Sequence, residues 1–259
     1  MAPIQHTYPK GQPGHRCAFT LIEVLVVVAI IAVLLGILIP SLGTARERAK
    51  ASKCIANLHQ LALAAHSYVM DFDGSFPIAQ DRTNEWDLTT ATDSNGKMVK
   101  AAGILYRLPG AGTMNLTIFM CPDYVLTSSP TALFTGYNYN TSYIGHGKGE
   151  AIEAPARELQ LAHPTTTALF GDGQAATPNK YMRAPAGCIP AQDGGDAVGQ
   201  NTRAAGTQGY RHSNKTNVAW ADGHTEAVSQ RFDKTAPAGI STAPNTGFLS
   251  ADNSAYDIR

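Results

Sequence analysis

An unbroken apolar segment near the N-terminus constrains this 259-residue chain more than any other feature. It reads FTLIEVLVVVAIIAVLLGILIP from Phe19 to Pro40, and residues 24–39 contain no polar side chain. An α-helix needs about 20 apolar residues to cross the hydrocarbon core of a membrane. The segment therefore predicts a membrane-spanning helix, longer than the ~7–15-residue apolar region of a secretory signal.

A single carboxylate, Glu23, lies one turn after the start of this segment. Ionisable residues within membrane spans are costly, and those that are present usually have a function. Two simpler interpretations compete. A cleaved signal peptide needs an A-x-A-like site, but Pro40, Ser41 and Leu42 follow instead. A plain membrane anchor tolerates Glu23 near the interface, where a charge costs less than at the centre.

The residues on either side of the Ala18–Phe19 bond resemble the processing site of bacterial type IV prepilins and type II secretion pseudopilins. The leader, residues 1–18, is MAPIQHTYPKGQPGHRCA; it contains Lys10 and Arg16 but no acid, and FTLIEV follows it. The resemblance implies that a prepilin peptidase removes this leader and methylates the new N-terminus.

The spacing within the segment also matches that family. With Phe19 counted as the first residue, Glu23 is the fifth and Pro40 is the twenty-second, and both are typical. Ala18 departs from the pattern, because the family usually has glycine before the cut. The resemblance implies that the new amine of Phe19 in one subunit pairs with Glu23 of its neighbour. Two opposite charges in low dielectric cost far less together than apart.

The resemblance also implies a location and a set of partners. The chain is expected to cross the inner membrane once, with its leader in the cytoplasm and its C-terminal domain in the periplasm or outside. The positive-inside rule favours the opposite orientation, because the segment after the span has more basic residues than the leader (Arg46, Arg48, Lys50 and Lys53, against Glu47). Expected partners are the prepilin peptidase, other pilin subunits and the membrane. Nucleic acid is not expected, since 20 basic residues balance 20 acidic ones.

The chain keeps a helical pattern beyond Pro40, and we predict that residues 41–76 continue the first helix, residues 19–40. Gly74 and Pro77 mark its end. Residues 77–230 are predicted to form a soluble β-rich domain, and residues 231–259 a loosely attached polar tail. The predicted buried helix face contains Ile55, Leu58, Leu61, Leu63, Ala65 and Val69.

The resemblance implies an α+β, pilin-like fold. The long N-terminal helix, membrane-spanning in its first half, would pack on a small antiparallel β-sheet domain with long loops. Within that domain LTIFMCPDY (residues 116–124) and GYNYNTSYIG (residues 136–145) are interpreted as strands, as is the run from Thr165 to Phe170.

A C-terminal signature gives a second resemblance, together with CIANLHQLALAAHSYVMDFDGSFP at residues 54–77. In YRHSNKTNVAWADGHTEAV, His212 is followed by nine residues and then Asp222-Gly223. A bacterial pseudopilin-like group is named for this pattern. Asp-Gly between two apolar runs predicts a β-hairpin with a type I′ turn. We interpret His212 as hydrogen-bonded to that turn.

The four cysteines allow one disulfide. Cys17 lies in the leader, so Cys54, Cys121 and Cys188 remain after processing. Outside the cytoplasm a disulfide is plausible. The pair is Cys54 with Cys121, or Cys121 with Cys188; the sequence alone leaves both open.

The two resemblances together imply a non-enzymatic pseudopilin-like or minor-pilin-like subunit without a cofactor. Two alternatives are kept. A membrane-tethered metal-dependent enzyme or carbohydrate-binding module would use His212, Asp222, His224 and Asp172, since histidine and carboxylate suit divalent metals. A plain membrane-anchored structural protein would never polymerise.

Overall fold

A computed structural model of the chain describes residues 20–81, 84–92, 94, 98–105, 116–124, 134–147, 152–174, 180–182, 184–185, 207–232 and 245–259. The chain divides into two compact units, Met1–Ala45 and Arg46–Arg259. One long helix, α1 (Leu21–Asp71), begins in the first unit and ends in the second. The predicted leader and Phe19 lie outside the described residues.

The part of α1 in the second unit packs through one face. The buried residues recur every three or four positions and are Cys54, Asn57, Leu58, Leu61, Ala62, Ala64, Ala65 and Val69. This confirms most of the predicted face, but Leu63 is 52% exposed because a helix turns it away from Leu58 and Leu61. The helix ends at Asp71, earlier than residue 76, since Asp73 and Gly74 adopt positive φ angles of 52° and 74°.

The sheet against this helix is antiparallel, apart from one parallel pair of strands. The strands of the described chain are β1 (Gln80–Asp81), β2 (Asn84–Glu85), β3 (Leu88–Thr92), β4 (Met98–Ala102), β5 (Tyr137–Asn140), β6 (Ala168–Gln174), β7 (Tyr181–Met182), β8 (Thr207–Gly209), β9 (Thr216–Trp220), β10 (Thr225–Val228) and β11 (Thr246–Gly247). The strand order of the sheet is β10-β9-β6-β5-β7, and β8 pairs with both β6 and β11. Two further pairs, β1–β2 and β3–β4, form separate two-stranded ribbons.

Strand β5, between β6 and β7, has both faces buried. On one face Tyr139 stacks on Phe170, with ring centroids 4.9 Å apart, and donates a hydrogen bond to the Pro77 carbonyl at 2.8 Å. On the other face the Asn140 amide donates to the carbonyls of Ala168 and Tyr256 at 2.8 and 2.9 Å. The strand predicted at residues 136–145 is confirmed for Tyr137–Asn140, after which residues 141–144 form a turn. Its asparagines are satisfied inside the core.

The C-terminal residues 245–259 are part of the core, which differs from the loose polar tail predicted for residues 231–259. β11 pairs with β8, and Phe248, Leu249, Tyr256 and Ile258 are buried. The buried apolar residues are few and follow no regular spacing, so no periodic pattern revealed them.

The segment before Cys121 is helical, so the predicted strand at residues 116–124 is wrong. Leu116–Phe119 form a 3-10 helix, which buries Ile118 and Phe119. Cys121 then joins the core through its backbone N–H, which donates to the Thr135 carbonyl at 2.8 Å. A single turn can bury a short apolar run as well as a strand can.

Two leucines on α1 give a matched test of the helix–sheet packing. Leu58→Ala removes a fully buried side chain and leaves a cavity, so we expect the free energy of unfolding to fall by about 2–5 kcal/mol. Leu63→Ala removes a half-exposed side chain and should change it by about 0.5 kcal/mol or less. Urea unfolding of both variants in detergent measures the difference. Equal losses would contradict the packing of α1 on the sheet.

Candidate functional site

The start of α1 carries a capping box formed by Thr20 and Glu23. The Thr20 N–H and hydroxyl donate to Glu23 Oε2 at 2.8 and 2.7 Å, while the Glu23 N–H donates to Thr20 Oγ1 at 3.4 Å. Such reciprocal bonds satisfy helix N–H groups that have no intrahelical acceptor. Glu23 therefore has a structural role within its own chain. The processing residues Ala18 and Phe19 lie outside the described residues.

The apolar surface that follows Glu23 is exposed along its whole length. None of the large side chains from Leu21 to Ile39 is buried. In the described chain α1 is the one helix long and apolar enough to cross a membrane. An apolar surface of this size in water would be strongly unfavourable, so it requires either lipid or other protein surfaces.

Pro40 lies inside α1, which continues through it. Proline has no N–H, so the carbonyl one turn earlier loses its helical donor. Next to it the Ser41 hydroxyl donates to the Leu38 carbonyl at 2.9 Å and satisfies another acceptor in the same turn.

The C-terminal signature forms a β-hairpin, as predicted, but its turn differs. β9 and β10 are antiparallel, with Thr225 opposite Ala219. Only Gly223 at the tip has a positive φ angle, 92°, so Asp222-Gly223 is not a type I′ turn. The Gly223 N–H donates to the Trp220 carbonyl at 2.9 Å, which fits a type I turn followed by a left-handed glycine.

The turn with two positive φ angles occurs earlier in the signature. Ser213 and Asn214 have φ angles of 52° and 61°, and the backbones of His212 and Lys215 exchange two hydrogen bonds of 3.1 Å. This tight reversal has the features of a type I′ turn. The His212 side chain leaves the turn and points into the core, so its predicted bond to the Asp222-Gly223 turn is absent from the described contacts.

The tip of the hairpin contacts α1. The Gly223 carbonyl lies 3.2 Å from His59 Nδ1, and a Cβ at Gly223 would meet His66 Nε2 at 3.5 Å. Asp222 bends back to its own hairpin and accepts from His224 Nδ1 at 2.6 Å. The two ends of the signature thus have different environments, an exposed turn at Asp222 and a buried cluster at His212.

Three side chains converge on His212, and all four residues of this cluster are buried. Their ligand-type atoms lie within 4.8 Å of one another, on Cys54, Cys121, Asp172 and His212. The two sulfur atoms are 2.6 Å apart, and His212 Nε2 lies 3.9 Å from Cys121 Sγ and 3.3 Å from Asp172 Oδ2. Cys54 comes from α1, Cys121 follows the 3-10 helix, and Asp172 lies on β6.

Further charged groups complete this cluster. Arg211 Nη2 donates to Asp172 Oδ1 at 3.0 Å, and the Asn217 N–H donates to Asp172 Oδ2 at 2.8 Å. On the other side of the imidazole, Nδ1 lies 3.5 Å from Asp123 Oδ2, and Lys50 binds the second oxygen of Asp123 at 2.8 Å. Each carboxylate therefore has a basic side chain beside it, Arg211 at Asp172 and Lys50 at Asp123.

The cluster changes the proton affinity of its members. Burial alone would lower the pKa of His212, but hydrogen bonds to Asp172 and Cys121 and their charges outweigh it and raise the pKa from 6.5 to about 9. Burial would raise the pKa of Cys121, yet hydrogen bonds with Cys54 and His212 and the charge of Arg211 lower it. The hydrogen bond with Cys121, together with burial, raises the pKa of Cys54.

The metal candidates named from the sequence are not brought together as one set. Asp172 and His212 meet in the buried cluster, whereas Asp222 and His224 pair with each other at the exposed turn. In the cluster, Cys54 and Cys121 provide the other donors. Two thiolates that share one zinc ion, each ~2.3 Å from it in a tetrahedron, lie about 3.8 Å apart. The observed 2.6 Å is too short for that arrangement.

Comparison with known proteins bears on the N-terminal segment. The family model for the prokaryotic N-terminal methylation motif matches residues 14–39. The chain carries a prepilin-type N-terminus. Type II secretion system core protein G of Pectobacterium carotovorum subsp. carotovorum is 28% identical to it over 106 residues, which are 40% of this chain. The match spans 66% of that relative, just under two thirds of its length. No solved structure matches the chain significantly.

The prepilin-type N-terminus includes Ala18, Phe19 and Glu23, but the motif match ends before Pro40. The His212 signature lies outside it. Sequence reasoning missed Arg211 and Asp123, which surround His212 in the fold. Arg211 directly precedes His212, and Asp123 lies two residues after Cys121, so nearness in sequence was the one signal available.

The raised pKa of His212 predicts a pH-dependent stability. Because the folded value, about 9, exceeds the unfolded value of 6.5, the contribution is complete below about pH 6.5 and is lost as pH rises through about 9. We expect the contribution of His212 to the free energy of unfolding to fall across this window by at most about 1.4 kcal/mol for each unit of pKa difference.

Urea unfolding at several pH values, with both cysteine thiols kept reduced, measures this loss. His212→Gln should lose the contribution between pH 6.5 and 9, whereas His224→Gln should keep it, since the His224 side chain is 45% exposed and pairs outside the cluster. The lowered pKa of Cys121 makes stability rise over the same window, so the test is the difference between the two variants. Parallel stability profiles of His212→Gln and His224→Gln would refute the assignment.

Proposed function

We propose that this chain is a non-enzymatic pseudopilin-like or minor-pilin-like subunit. In this proposal a prepilin peptidase cuts before Phe19, and the N-terminal helix then assembles with those of other subunits into a type II secretion or type IV pilus-like filament. The main support is the methylation motif at residues 14–39. The similarity to type II secretion system core protein G adds to it.

The exposed apolar surface of α1 fits two successive environments. Before assembly the surface from Leu21 to Ile39 would lie in the lipid of the inner membrane, crossed once. Afterwards the equivalent helices of neighbouring subunits would cover it. The leader would face the cytoplasm and the sheet domain the periplasm or the exterior, an orientation that follows the resemblance rather than the distribution of basic residues.

Glu23 would have different partners in the two states. In the lone chain its Oε2 caps its own helix through Thr20. Once the leader is removed, the amine of Phe19 in a neighbouring subunit offers an opposite charge. A charge-assisted bond of this kind is roughly twice as strong as a neutral one, and stronger still in low dielectric. Assembly would therefore fix the axial position of each subunit.

The burial of the His212 cluster supports a role without catalysis. Its cysteines, histidine and Asp172 are all at most 5% exposed, so a substrate would have no access to them. We therefore favour a binding and assembly function over the metal-dependent enzyme and the carbohydrate-binding module. A plain anchor that never polymerises is the outcome that the following experiments would reveal.

The charge of Glu23 can be separated from its capping bond. Glu23→Gln keeps the capping geometry, since glutamine also serves at this position, but removes the charge. Glu23→Val removes both, and Thr20→Val removes the two bonds of the Thr20 hydroxyl but leaves the charge and the bond from the backbone N–H. We expect all three variants to reach the membrane, and both Glu23 variants to be nearly absent from filaments. Thr20→Val should assemble close to normally.

The measurement is the ratio of assembled to membrane-bound subunit, from sheared filaments and membrane fractions of the same cells. If Glu23→Gln assembles normally while Glu23→Val and Thr20→Val do not, the carboxylate acts only as a cap. That result would contradict the proposed pairing of Glu23 with the Phe19 amine of a neighbour, although it would leave polymerisation itself intact.

The mature N-terminus provides a second test. Mass spectrometry of the membrane-bound chain should find an N-methylated Phe19 as the first residue. Ala18→Gly should raise the processed fraction, because glycine is the usual residue of the family before the cut. Replacing Ala18 with a bulky Leu should lower it, since the peptidase is expected to need a small side chain there. A chain that retains Met1 in membranes would support the plain anchor.

A further inference from the structure

The sulfur atoms of Cys54 and Cys121 come from parts of the chain that are 67 residues apart, yet lie 2.6 Å from each other. A disulfide bond is about 2.05 Å long, so the atoms need to approach by only about 0.5 Å to form one. Both residues are at most 4% exposed. Within the described residues, no other cysteine is present.

We propose that Cys54 and Cys121 are joined by a disulfide that fastens α1 to the soluble domain, and that Arg211 and His212 of the signature regulate it as positioning residues next to Cys121. The proposal does not depend on filament assembly. It requires only that the domain folds where disulfide oxidants are present.

The bond would form by two exchange steps with an external disulfide, such as that of an envelope oxidoreductase. The Cys121 thiolate attacks one sulfur of that disulfide, which releases one external thiolate and leaves a mixed disulfide. The Cys54 thiol then loses its proton to solvent or a base, and the resulting thiolate attacks the Cys121 sulfur of the mixed disulfide. This attack releases the second external thiolate, which takes up a proton. The two cysteines lose two electrons and two protons, and the external disulfide gains them. Because both sulfur atoms are buried in the folded chain, this exchange would precede final packing.

The geometry favours a disulfide over a shared metal ion. The sulfur atoms are too close together to bind one zinc ion, and His212 Nε2 already faces Asp172 Oδ2 at 3.3 Å. Arg211 also places a permanent positive charge in the cluster, which would repel a cation.

The signature residues provide an asymmetry between the two sulfur atoms. Arg211 and His212 act on Cys121 through hydrogen bonds and charge, whereas the recorded partners of the Cys54 sulfur are Cys121 and Tyr137. These cationic side chains stabilise negative charge on Cys121, and that charge exists only after reduction. They should therefore make the bond easier to reduce than it would be without them. The negative charges of Asp172 and Asp123, which face the two ring nitrogens of His212, oppose this stabilisation of the Cys121 thiolate. Lys50 pairs with Asp123 and partly offsets its charge.

Peptide mapping of the full-length chain tests the bond without any substitution. Membranes are solubilised in detergent with free thiols blocked, and the digest is analysed with and without reduction. We expect the peptides that contain Cys54 and Cys121 to appear as one cross-linked species before reduction. A Cys121–Cys188 cross-link, or two blocked thiols at Cys54 and Cys121, would overturn the proposal. Stoichiometric zinc by elemental analysis, with both thiols unoxidised, would overturn it too.

Equilibration in glutathione buffers tests the role of His212. The full-length wild type, His212→Gln and His224→Gln are each held in a series of reduced-to-oxidised glutathione ratios until the disulfide fraction is constant. We expect His212→Gln to shift the equilibrium toward the disulfide, about tenfold for each unit by which the pKa of Cys121 rises. His224→Gln should match the wild type.

An unchanged midpoint in His212→Gln would overturn the regulatory role, as would a shift toward the dithiol. The peptide map of the unsubstituted chain would still decide the bond itself. Near-UV circular dichroism identifies a variant that has lost its fold. Arg211→Lys, which keeps the charge but not the planar fork, then replaces His212→Gln with the same expected direction and a smaller shift.

Discussion

The structure depends on one helix that meets two kinds of surroundings along its length. From Leu21 to Ile39 every large side chain is exposed, and all but Glu23 are apolar, which demands lipid or protein around them. From Cys54 to Val69 the same helix buries one face against a sheet. Each half is consistent with its own environment, and the polar residues from Ser41 to Lys53 separate them.

The sequence predicted what local periodicity can encode. Continuous apolarity and 3-to-4 spacing identified α1, and apolar runs around Asp222-Gly223 identified the hairpin of β9 and β10. Features without a period were missed. The 3-10 helix at Leu116–Phe119 has the composition of a strand, and residues 245–259 reach the core through a few irregularly spaced side chains. Whether a short apolar run becomes a strand or a single turn is decided by distant partners.

The candidate site shows the same limit. Cys54 and Cys121 could be named as a pair because few cysteines were available, but nothing local placed His212 beside them. That contact arises because the turn at Ser213 and Asn214 directs the imidazole inward, toward a carboxylate on β6. The partners of His212 are 40 to 158 residues away in the chain, so only the completed fold brings them together.

The nine residues between His212 and Asp222 can be understood as a length. His212 reaches the sulfur pair beside α1, while Gly223 contacts the same helix near His59 and His66. The signature therefore contacts α1 at two points, and the nine residues set the distance between them. Adding one residue to β9 would reverse which side chains face inward beyond that point, because strand faces alternate. One of the two contacts with α1 would then be lost, so the length of the motif would matter as much as its chemistry.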